Sequence, residues 1–212
     1  MRPDANRVGA MSVFQTLSRQ ASYLREFVRT PREIGSVLPS SRYLCREMLA
    51  AVDWESATSL VELGAAEGVL TTWILKRMRP DATLTVYEIR PEFVRVLREI
   101  QDPRLIICDH SAEFLSGSHD AILSSLPLVT LPRRVSLRVL GASRKALQEK
   151  HGLFVQYQYS RLAERLLSRF FTWRKTIVLR NIPPARVYTC RLRNSPHDAP
   201  PAASRRKEAS RT

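Results

Sequence analysis

The chain has 212 residues, of which 44% are hydrophobic and 25% are charged, and its formal net charge is +14. This length and hydrophobic content allow one sizeable core, so a single domain is expected. The sequence contains no run of about 18 consecutive apolar residues, and residues 1–7 lack the apolar stretch of a secretory signal. The composition therefore predicts neither a membrane-spanning protein nor an exported one.

The cysteines indicate neither a zinc site nor a disulfide framework. Cys45, Cys108 and Cys190 are far apart and form no C-x-x-C pair. This usage fits a reducing cytoplasm, and no bound metal is expected.

The positive charge is unevenly distributed along the chain. Residues 1–35 have a net charge of +3 (six basic, three acidic), residues 36–132 of −4 (nine basic, 13 acidic) and residues 133–212 of +15 (19 basic, four acidic). Basic ends suggest a polyanionic partner, which is either a nucleic acid or the anionic inner leaflet of a membrane. A solvated basic surface with a basic tail is the alternative.

The two ends of the chain differ from its middle. Residues 1–11 and the polar, basic residues 194–212 are expected to be disordered, which leaves a single domain at 12–193. Within 12–30, apolar residues recur at helical spacing and predict an amphipathic helix. This helix either packs on the domain or lies in a membrane interface with Phe14 and Phe27 embedded.

From residue 39 onward the pattern predicts alternating helices and strands. A second helix is expected after Pro39-Ser40-Ser41, where the serines can cap it. Alternation of this kind requires a mostly parallel sheet with helices on both faces. Two final apolar runs, at 176–179 and 187–191, predict an antiparallel hairpin that completes a seven-stranded sheet. The other predicted strands are 59–61, 83–87, 105–108, 121–123 and 152–157, and the other helices are 70–78, 92–100, 131–148 and 162–170.

The turn after the first strand is the strongest candidate for a ligand site. In open α/β sheets, ligands bind beyond the carboxyl ends of the strands, and Gly64 and Gly68 allow the backbone of this turn to approach a ligand closely. Glu88 closes the second strand, where a carboxylate can accept two ribose hydroxyls. Asp109 closes the third strand, where the carboxylate or the adjacent backbone can meet an adenine amino group.

S-adenosylmethionine is a better match to this turn than a dinucleotide. The turn lacks the Gly-x-Gly-x-x-Gly pattern, and Glu62 at the end of the first strand suits a cofactor with a cationic amino group and a sulfonium. No Gly-Lys-Ser/Thr motif is present to cradle a triphosphate.

The chain resembles the bacterial phospholipid N-methyltransferases, relatives of the ribosomal RNA adenine dimethylases within the class I methyltransferases. The likeness covers about residues 24–193 and is most specific in the Gly-Ser-Val-x-Pro-Ser-Ser motif at 35–41. Its other motifs are residues 27–34, 61–64, 87–89, 124–128 and 181–185.

The resemblance implies a Rossmann-like fold and a peripheral enzyme on the inner face of the membrane that methylates the amine of phosphatidylethanolamine or its methylated derivatives. The implied cofactor is S-adenosylmethionine, and an anionic membrane surface is an implied partner. Residues that would bind the cofactor are Glu62, Gly64, Ala66, Gly68, Glu88, Ile89, Asp109 and His110. Residues that would border the methyl group and its acceptor are Ser124, Ser125, Leu126 and Pro127.

The cofactor turn departs from the family pattern. Members usually have Gly-Pro-Gly-Thr-Gly, whereas this chain has Gly64-Ala65-Ala66-Glu67-Gly68. Ala66 is compatible with the turn if its backbone keeps a negative φ, and Glu67 is expected to cap the next helix.

Several groups are candidates to contact the substrate. Backbone carbonyls near Ser125 and Leu126 are the first candidates to accept a proton or an N–H hydrogen bond from the acceptor amine, ahead of four side chains. Arg32 and Arg42 could bind a lipid phosphate. Ser40, Ser41 and Tyr157 complete the predicted substrate site. The four side chains are Tyr23, Tyr43, His110 and Tyr157.

The sequence is also compatible with two other functions. An RNA (adenine-N6) methyltransferase would use the same fold, but such enzymes offer an aromatic ring to stack on the flipped base, at the position where this chain has Leu128. A non-catalytic, membrane-associated relative would result if Ala66 and Glu67 block the cofactor.

Overall fold

The computed structural model describes residues 39–181 and 183–193, and for residues 39–41 it describes the backbone alone. The predicted amphipathic helix at 12–30 and both predicted disordered ends lie outside this range. No helix in the described part of the chain is long and apolar enough to cross a membrane.

Seven strands form one sheet in the order β3-β2-β1-β4-β5-β7-β6. The first five strands are parallel, and β7 lies antiparallel between β5 and β6. The strands are β1 (Ser59–Leu63), β2 (Thr83–Tyr87), β3 (Leu105–Cys108), β4 (Ala121–Ser124), β5 (Leu153–Gln158), β6 (Phe171–Val178) and β7 (Ala185–Leu192). The predicted parallel sheet with a terminal hairpin is confirmed.

Helices cover both faces of the sheet, as the near-continuous apolar strands require. The helices are α1 (Pro39–Leu49), α2 (Val69–Leu75), α3 (Pro91–Arg98), α4 (Arg133–Ala146) and α5 (Glu164–Leu167), with a 3-10 turn at Ala112–Phe114. One core lies under α1, α2 and α3 and includes Met48, Ile74 and Leu97. The other lies under α4 and α5 and is built around Phe154 and Phe171, whose rings stack 5.0 Å apart.

Several predicted boundaries were wrong, including those of α1, α5 and β6. Helix α1 begins at Pro39 rather than after Ser41, because proline suits the first helical position, where no N–H is needed. Helix α5 covers only four of the predicted residues 162–170, and β6 begins at Phe171 rather than at 176. The buried Phe171 pairs with Leu192, and this pairing extends the strand toward the helix.

Candidate active site at the carboxyl edge of the sheet

The predicted cofactor and acceptor segments converge at one edge of the sheet. Leu63 pairs with both Tyr87 and Ser124, and Tyr87 pairs with Cys108, so the carboxyl ends of β1, β2, β3 and β4 lie side by side. The loop that follows each strand begins at this edge. The fold thus brings together segments that are distant in the chain, since the paired residues Leu63 and Ser124 are 61 positions apart.

The turn between β1 and α2 has a left-handed backbone at both glycines. Gly64 has a φ of 75° and Gly68 one of 77°. A Cβ on Gly64 would lie 2.8 Å from Cδ2 of Leu126, and one on Gly68 would lie 3.0 Å from Cδ2 of Leu97. Both positions therefore require glycine for backbone conformation and for space.

Ala66 does not keep the negative φ that was expected of it. Its φ is 47°, in the left-handed region that costs an L-residue energy. The backbone N–H of Ala66 donates a 2.9 Å hydrogen bond to Oε2 of Glu88, which stabilises this conformation. Glu67 does not cap α2 as predicted, because the N-cap is Gly68 and no side chain bonds there.

Glu62 is a fully buried carboxyl group with one unsatisfied oxygen. Its Oε2 accepts a 2.6 Å hydrogen bond from the hydroxyl of Thr71 on α2, whereas Oε1 has no partner among the described residues. Burial, opposed by the Thr71 bond and assisted by the charge of Glu88, raises the pKa of Glu62 to about 7. A cationic hydrogen-bond donor would satisfy Oε1 and favour the ionised carboxylate.

Glu88 links the cofactor turn to the end of β2 by hydrogen bonds. One carboxylate oxygen accepts the Ala66 N–H, and the other accepts the backbone N–H of Arg90 at 3.0 Å. Each oxygen retains a lone pair, so the carboxylate can still accept ribose hydroxyls.

The expected adenine side of the site exposes apolar side chains. Ile89 is 64% exposed and Phe114 is 71% exposed. The ring of His110 lies edge-on to Tyr87 and to Phe114, at centroid distances of 5.3 and 6.1 Å. The Asp109 carboxylate is 3.2 Å from the Arg98 guanidinium, so it is turned toward a solvent-exposed partner.

The segment after β4 restricts which carbonyl can accept a hydrogen bond from an amine. The Leu126 carbonyl already accepts the side-chain amides of Gln156 and Gln158, at 3.1 and 2.9 Å, and the N–H of Leu128. It is therefore unavailable, contrary to one part of the prediction. No described residue donates to the carbonyl of Ser125, which remains the candidate.

The other candidate residues at the end of β4 and in the loop after it are buried or have structural roles. Ser124 is fully buried, and its hydroxyl accepts the Leu126 N–H at 3.4 Å. Pro127 accepts the N–H groups of Thr130 and Leu131. Leu128 packs in the core at 2% exposure, so it offers no surface for a base to stack on.

Some of the predicted substrate residues have described side chains, and the others do not. Tyr157 is partly buried beside Tyr159, and burial raises the pKa of its phenol, so it is unsuited to act as a general base. Tyr43 lies on α1, beneath the guanidinium groups of Arg42 and Arg180 at 5.7 and 5.2 Å from the ring centroid. Tyr23, Arg32 and the side chains of Ser40 and Ser41 lie outside the described residues.

Sequence reasoning missed four residues of this site. Thr71, Phe114, Gln156 and Gln158 lie outside the conspicuous motifs and acquire their roles from contacts across the sheet edge. Of these four, only Thr71 could have been found from the sequence, because helical spacing places it on the face of α2 that covers Glu62. Among the described residues, no group of three or more His, Cys, Asp or Glu side chains could hold a metal ion.

No family profile matches the chain. The ornithine lipid N-methyltransferase of Singulisphaera acidiphila is 31% identical over 186 residues, covering 80% of this chain and 94% of the relative. The N-methyltransferase NodS from Bradyrhizobium japonicum, solved with S-adenosyl-L-homocysteine, superposes with a TM-score of 0.65 at 14% identity, over 79% of this chain and 97% of its own.

A second solved structure agrees in fold. The 1,6-didemethyltoxoflavin-N1-methyltransferase of Burkholderia thailandensis has a TM-score of 0.63 at 16% identity, covering 91% of this chain and 92% of its own. The two solved structures establish the Rossmann-like fold of the class I methyltransferases, and the S. acidiphila relative establishes the family. The chain belongs to the lipid N-methyltransferases, within the class I S-adenosylmethionine-dependent methyltransferases.

Proposed function

We propose that the protein transfers a methyl group from S-adenosylmethionine to the amino group of a membrane aminolipid, at the inner face of the cytoplasmic membrane. The similarity to the ornithine lipid N-methyltransferase carries this proposal, because it spans 94% of that relative. Ornithine lipid is therefore the first substrate to test. Phosphatidylethanolamine, which the sequence motifs imply, is the second and also presents a primary amine.

The residues at the carboxyl edge fit the cofactor. Glu62 offers a buried, unsatisfied oxygen to the amino group of the methionine part. Glu88 holds the turn and keeps lone pairs for the ribose, and the exposed faces of Ile89 and Phe114 can cover a purine. When bound, the cofactor supplies an electrophilic methyl carbon on a cationic sulfur.

The protein's main task is to orient an uncharged amine toward that methyl group, since alignment supplies much of the rate of a bimolecular transfer. The Ser125 carbonyl can accept an N–H from the amine, whereas the Leu126 carbonyl is held by Gln156 and Gln158. Arg42, exposed on α1, can bind the anionic part of the headgroup, a phosphate or a carboxylate.

A methyl-transfer assay with labelled S-adenosylmethionine tests the proposal. Ornithine lipid, phosphatidylethanolamine and RNA are offered side by side, the lipids in detergent micelles. We expect label in ornithine lipid, and mass spectrometry of the product gives the number of methyl groups. Gly64→Val serves as the inactive control, because its side chain would collide with Leu126.

Two results would overturn the proposal. Label in RNA and not in lipid would assign the basic surface to nucleic acid. Calorimetry that detects no binding of S-adenosylmethionine would make the protein a non-catalytic relative.

A further inference from the structure

One face of the domain combines exposed arginines with exposed apolar side chains. This α1–β6 face is defined by Arg42, Arg46, Arg77, Arg180, Ile177 and Leu179. Ile177 is 50% exposed and Leu179 is 75% exposed, although both are large and apolar. The four arginines are also exposed.

Two adjoining grooves run across the α1–β6 face. The first, of about 370 Å³, lies between α1 and the end of α2 and is lined by Tyr43, Trp73 and three of the arginines. The second, of about 410 Å³, lies between α1 and the end of β6. Tyr43 and Arg46 line both grooves, so together they form one continuous surface.

The charges on this face are not neutralised by the described residues. None of the four arginines is within salt-bridge distance of a described carboxylate. Among the residues that the structure describes, Glu47 is the one acidic residue lining either groove. The face therefore attracts anions, and its aromatic and aliphatic side chains suit a partner that is anionic at its surface and apolar beneath.

The position of the face relates it to the active site. Strand β6 is antiparallel to β7, and β7 is antiparallel to β5, so β6 runs in the same direction as β5 and β4. Ile177 and Leu179, at the end of β6, consequently lie at the carboxyl edge of the sheet. The cofactor turn and the Ser125 carbonyl begin at the same edge.

We infer that the α1–β6 face docks on an anionic bilayer, with Ile177 and Leu179 entering the headgroup region and the arginines contacting lipid phosphates. This inference rests on the proposed function, because a lipid substrate has to enter the site from the bilayer. Arg77 lies toward the amino edge, where Arg104 bonds to the carbonyls of Leu75 and Met78. Docking would therefore be side-on and would bring the β6 end of the face, at the carboxyl edge, next to the membrane. An amphipathic surface with basic residues around its apolar centre is typical of interfacial binding.

Tryptophan fluorescence of the full chain tests the orientation directly. Trp73 lines the first groove, so Trp54→Phe/Trp173→Phe leaves it as the sole reporter among the three tryptophans. We expect its emission to shift to shorter wavelength with vesicles of phosphatidylethanolamine and phosphatidylglycerol, and to be quenched by brominated lipid. An unchanged emission on vesicles that bind the protein would overturn the inference.

Vesicle binding of two variants, each compared with wild type, tests the residues. Ile177→Ser/Leu179→Ser removes the apolar part, and Arg46→Gln/Arg77→Gln/Arg180→Gln removes three charges. Each charge near an anionic surface is worth about fivefold in binding, so the triple variant should bind about 100-fold more weakly at low salt. The charge-matched control is Arg134→Gln/Arg144→Gln/Lys145→Gln on α4, which covers the opposite face of the sheet. Equal losses in both triple variants would show that net charge alone drives binding and would overturn the inference.

A short-chain aminolipid in detergent micelles separates this inference from the proposed function. Ile177→Ser/Leu179→Ser should methylate that substrate at the wild-type rate while losing activity on vesicles. Equal loss on both substrates would contradict a docking role. If wild type methylates no aminolipid, the proposed function fails, whereas the vesicle-binding results stand independently. Release of the vesicle-bound protein by RNA, with no fluorescence shift on lipid, would assign the face to nucleic acid.

Discussion

Ala66 shows how a residue with a Cβ can occupy a turn that usually contains glycine. Its φ of 47° places it in the left-handed region, and its N–H is bonded to Glu88. A hydrogen bond to a charged group is worth about 1.5–3 kcal/mol, which offsets the roughly 1–2 kcal/mol cost of that conformation for an L-residue. The hydrogen bond to Glu88 thus stabilises the same residue whose backbone is strained.

Ala66→Gly should relieve that strain. We expect a gain of about 0.5–1 kcal/mol, because part of the relief is lost to the greater freedom of glycine in the unfolded chain. The melting temperature should rise by about 1–4 °C, with the affinity for S-adenosylmethionine unchanged within a factor of about two. Ala66→Val, which adds β-branching at the same φ, should lower the melting temperature. A lower melting temperature for the glycine variant would contradict the strain argument.

Glu62 should make both stability and cofactor binding depend on pH. Its pKa is raised from 4.5 to about 7 on folding, so the folded state holds more protons between these values. The stabilisation from protonation is complete below pH 4.5 and is lost as pH rises through 7, a change of about 3 kcal/mol. Urea denaturation at pH 5 and pH 8 measures it, and Glu62→Gln should remove this contribution.

Glu62→Gln should also weaken the binding of S-adenosylmethionine, since a charge-assisted hydrogen bond worth about 1.5–3 kcal/mol is lost. The Kd should rise by about 10- to 100-fold in calorimetry at pH 8. In wild type, binding should tighten as pH rises through about 7, whereas the variant should bind equally at both ends of that range. A wild-type Kd that does not change over this range would exclude Glu62 as the partner of the cofactor's amino group.

At the scale of elements, the loop after β4 depends on side chains from β5. Gln156 and Gln158 share one side of the strand, because side chains alternate along it, and both donate to the Leu126 carbonyl. Their spacing of two predicts a shared face, but no sequence pattern identifies a backbone carbonyl as their partner. That contact exists because β5 lies beside β4 in the sheet.

The Gln156→Leu/Gln158→Leu variant should free the Leu126 carbonyl of its side-chain donors. We expect kcat to fall about tenfold, because the loop would no longer hold the acceptor amine in position. A tenfold fall corresponds to an activation free energy raised by about the energy of one hydrogen bond. The Kd for S-adenosylmethionine should remain within about twofold of wild type, because the hydrogen bonds of both glutamines go to the Leu126 and Tyr157 carbonyls and not to described residues of the cofactor turn. A parallel loss of cofactor affinity would instead connect the two glutamines to the cofactor site.

At the scale of the whole molecule, α1 packs against the terminal hairpin. Met48 and Leu49 are 1% and 0% exposed, in the same core as Val178 and Val187. Helix α1 contacts both β6 and β7, so the first and last described elements are in contact. The domain should therefore unfold as one cooperative unit.

Met48→Ala tests how much the packing of α1 against the hairpin stabilises the domain. We expect a loss of about 2–5 kcal/mol in the free energy of unfolding, the usual range for a large-to-small change in a packed core. Glu47→Ala, at the neighbouring and partly exposed position, should change it by less than about 0.5 kcal/mol. Urea denaturation should give one transition for all three proteins. Separate transitions for the helix and the hairpin would contradict unfolding as one cooperative unit.

The order of the elements could be predicted from the amino-acid sequence, because hydrophobic periodicity and turn residues are local properties. The strands at 83–87 and 105–108 were predicted with the observed bounds, and the acids Glu62 and Glu88 were identified from their positions at strand ends. The start of β6 was missed, because an edge strand with exposed residues has a weaker pattern.

Which groups at the carboxyl edge still have a free hydrogen-bonding atom could be learned only from the folded arrangement. Thr71 bonds to one carboxyl oxygen of Glu62 and leaves the other without a partner. The Ser125 carbonyl is the candidate to bind the acceptor amine, because two glutamines already donate to the Leu126 carbonyl. The α1–β6 face likewise exists because β6 lies at the edge of the sheet beside α1. Such pairings depend on strand order and burial, and these arise from contacts between residues distant in the chain.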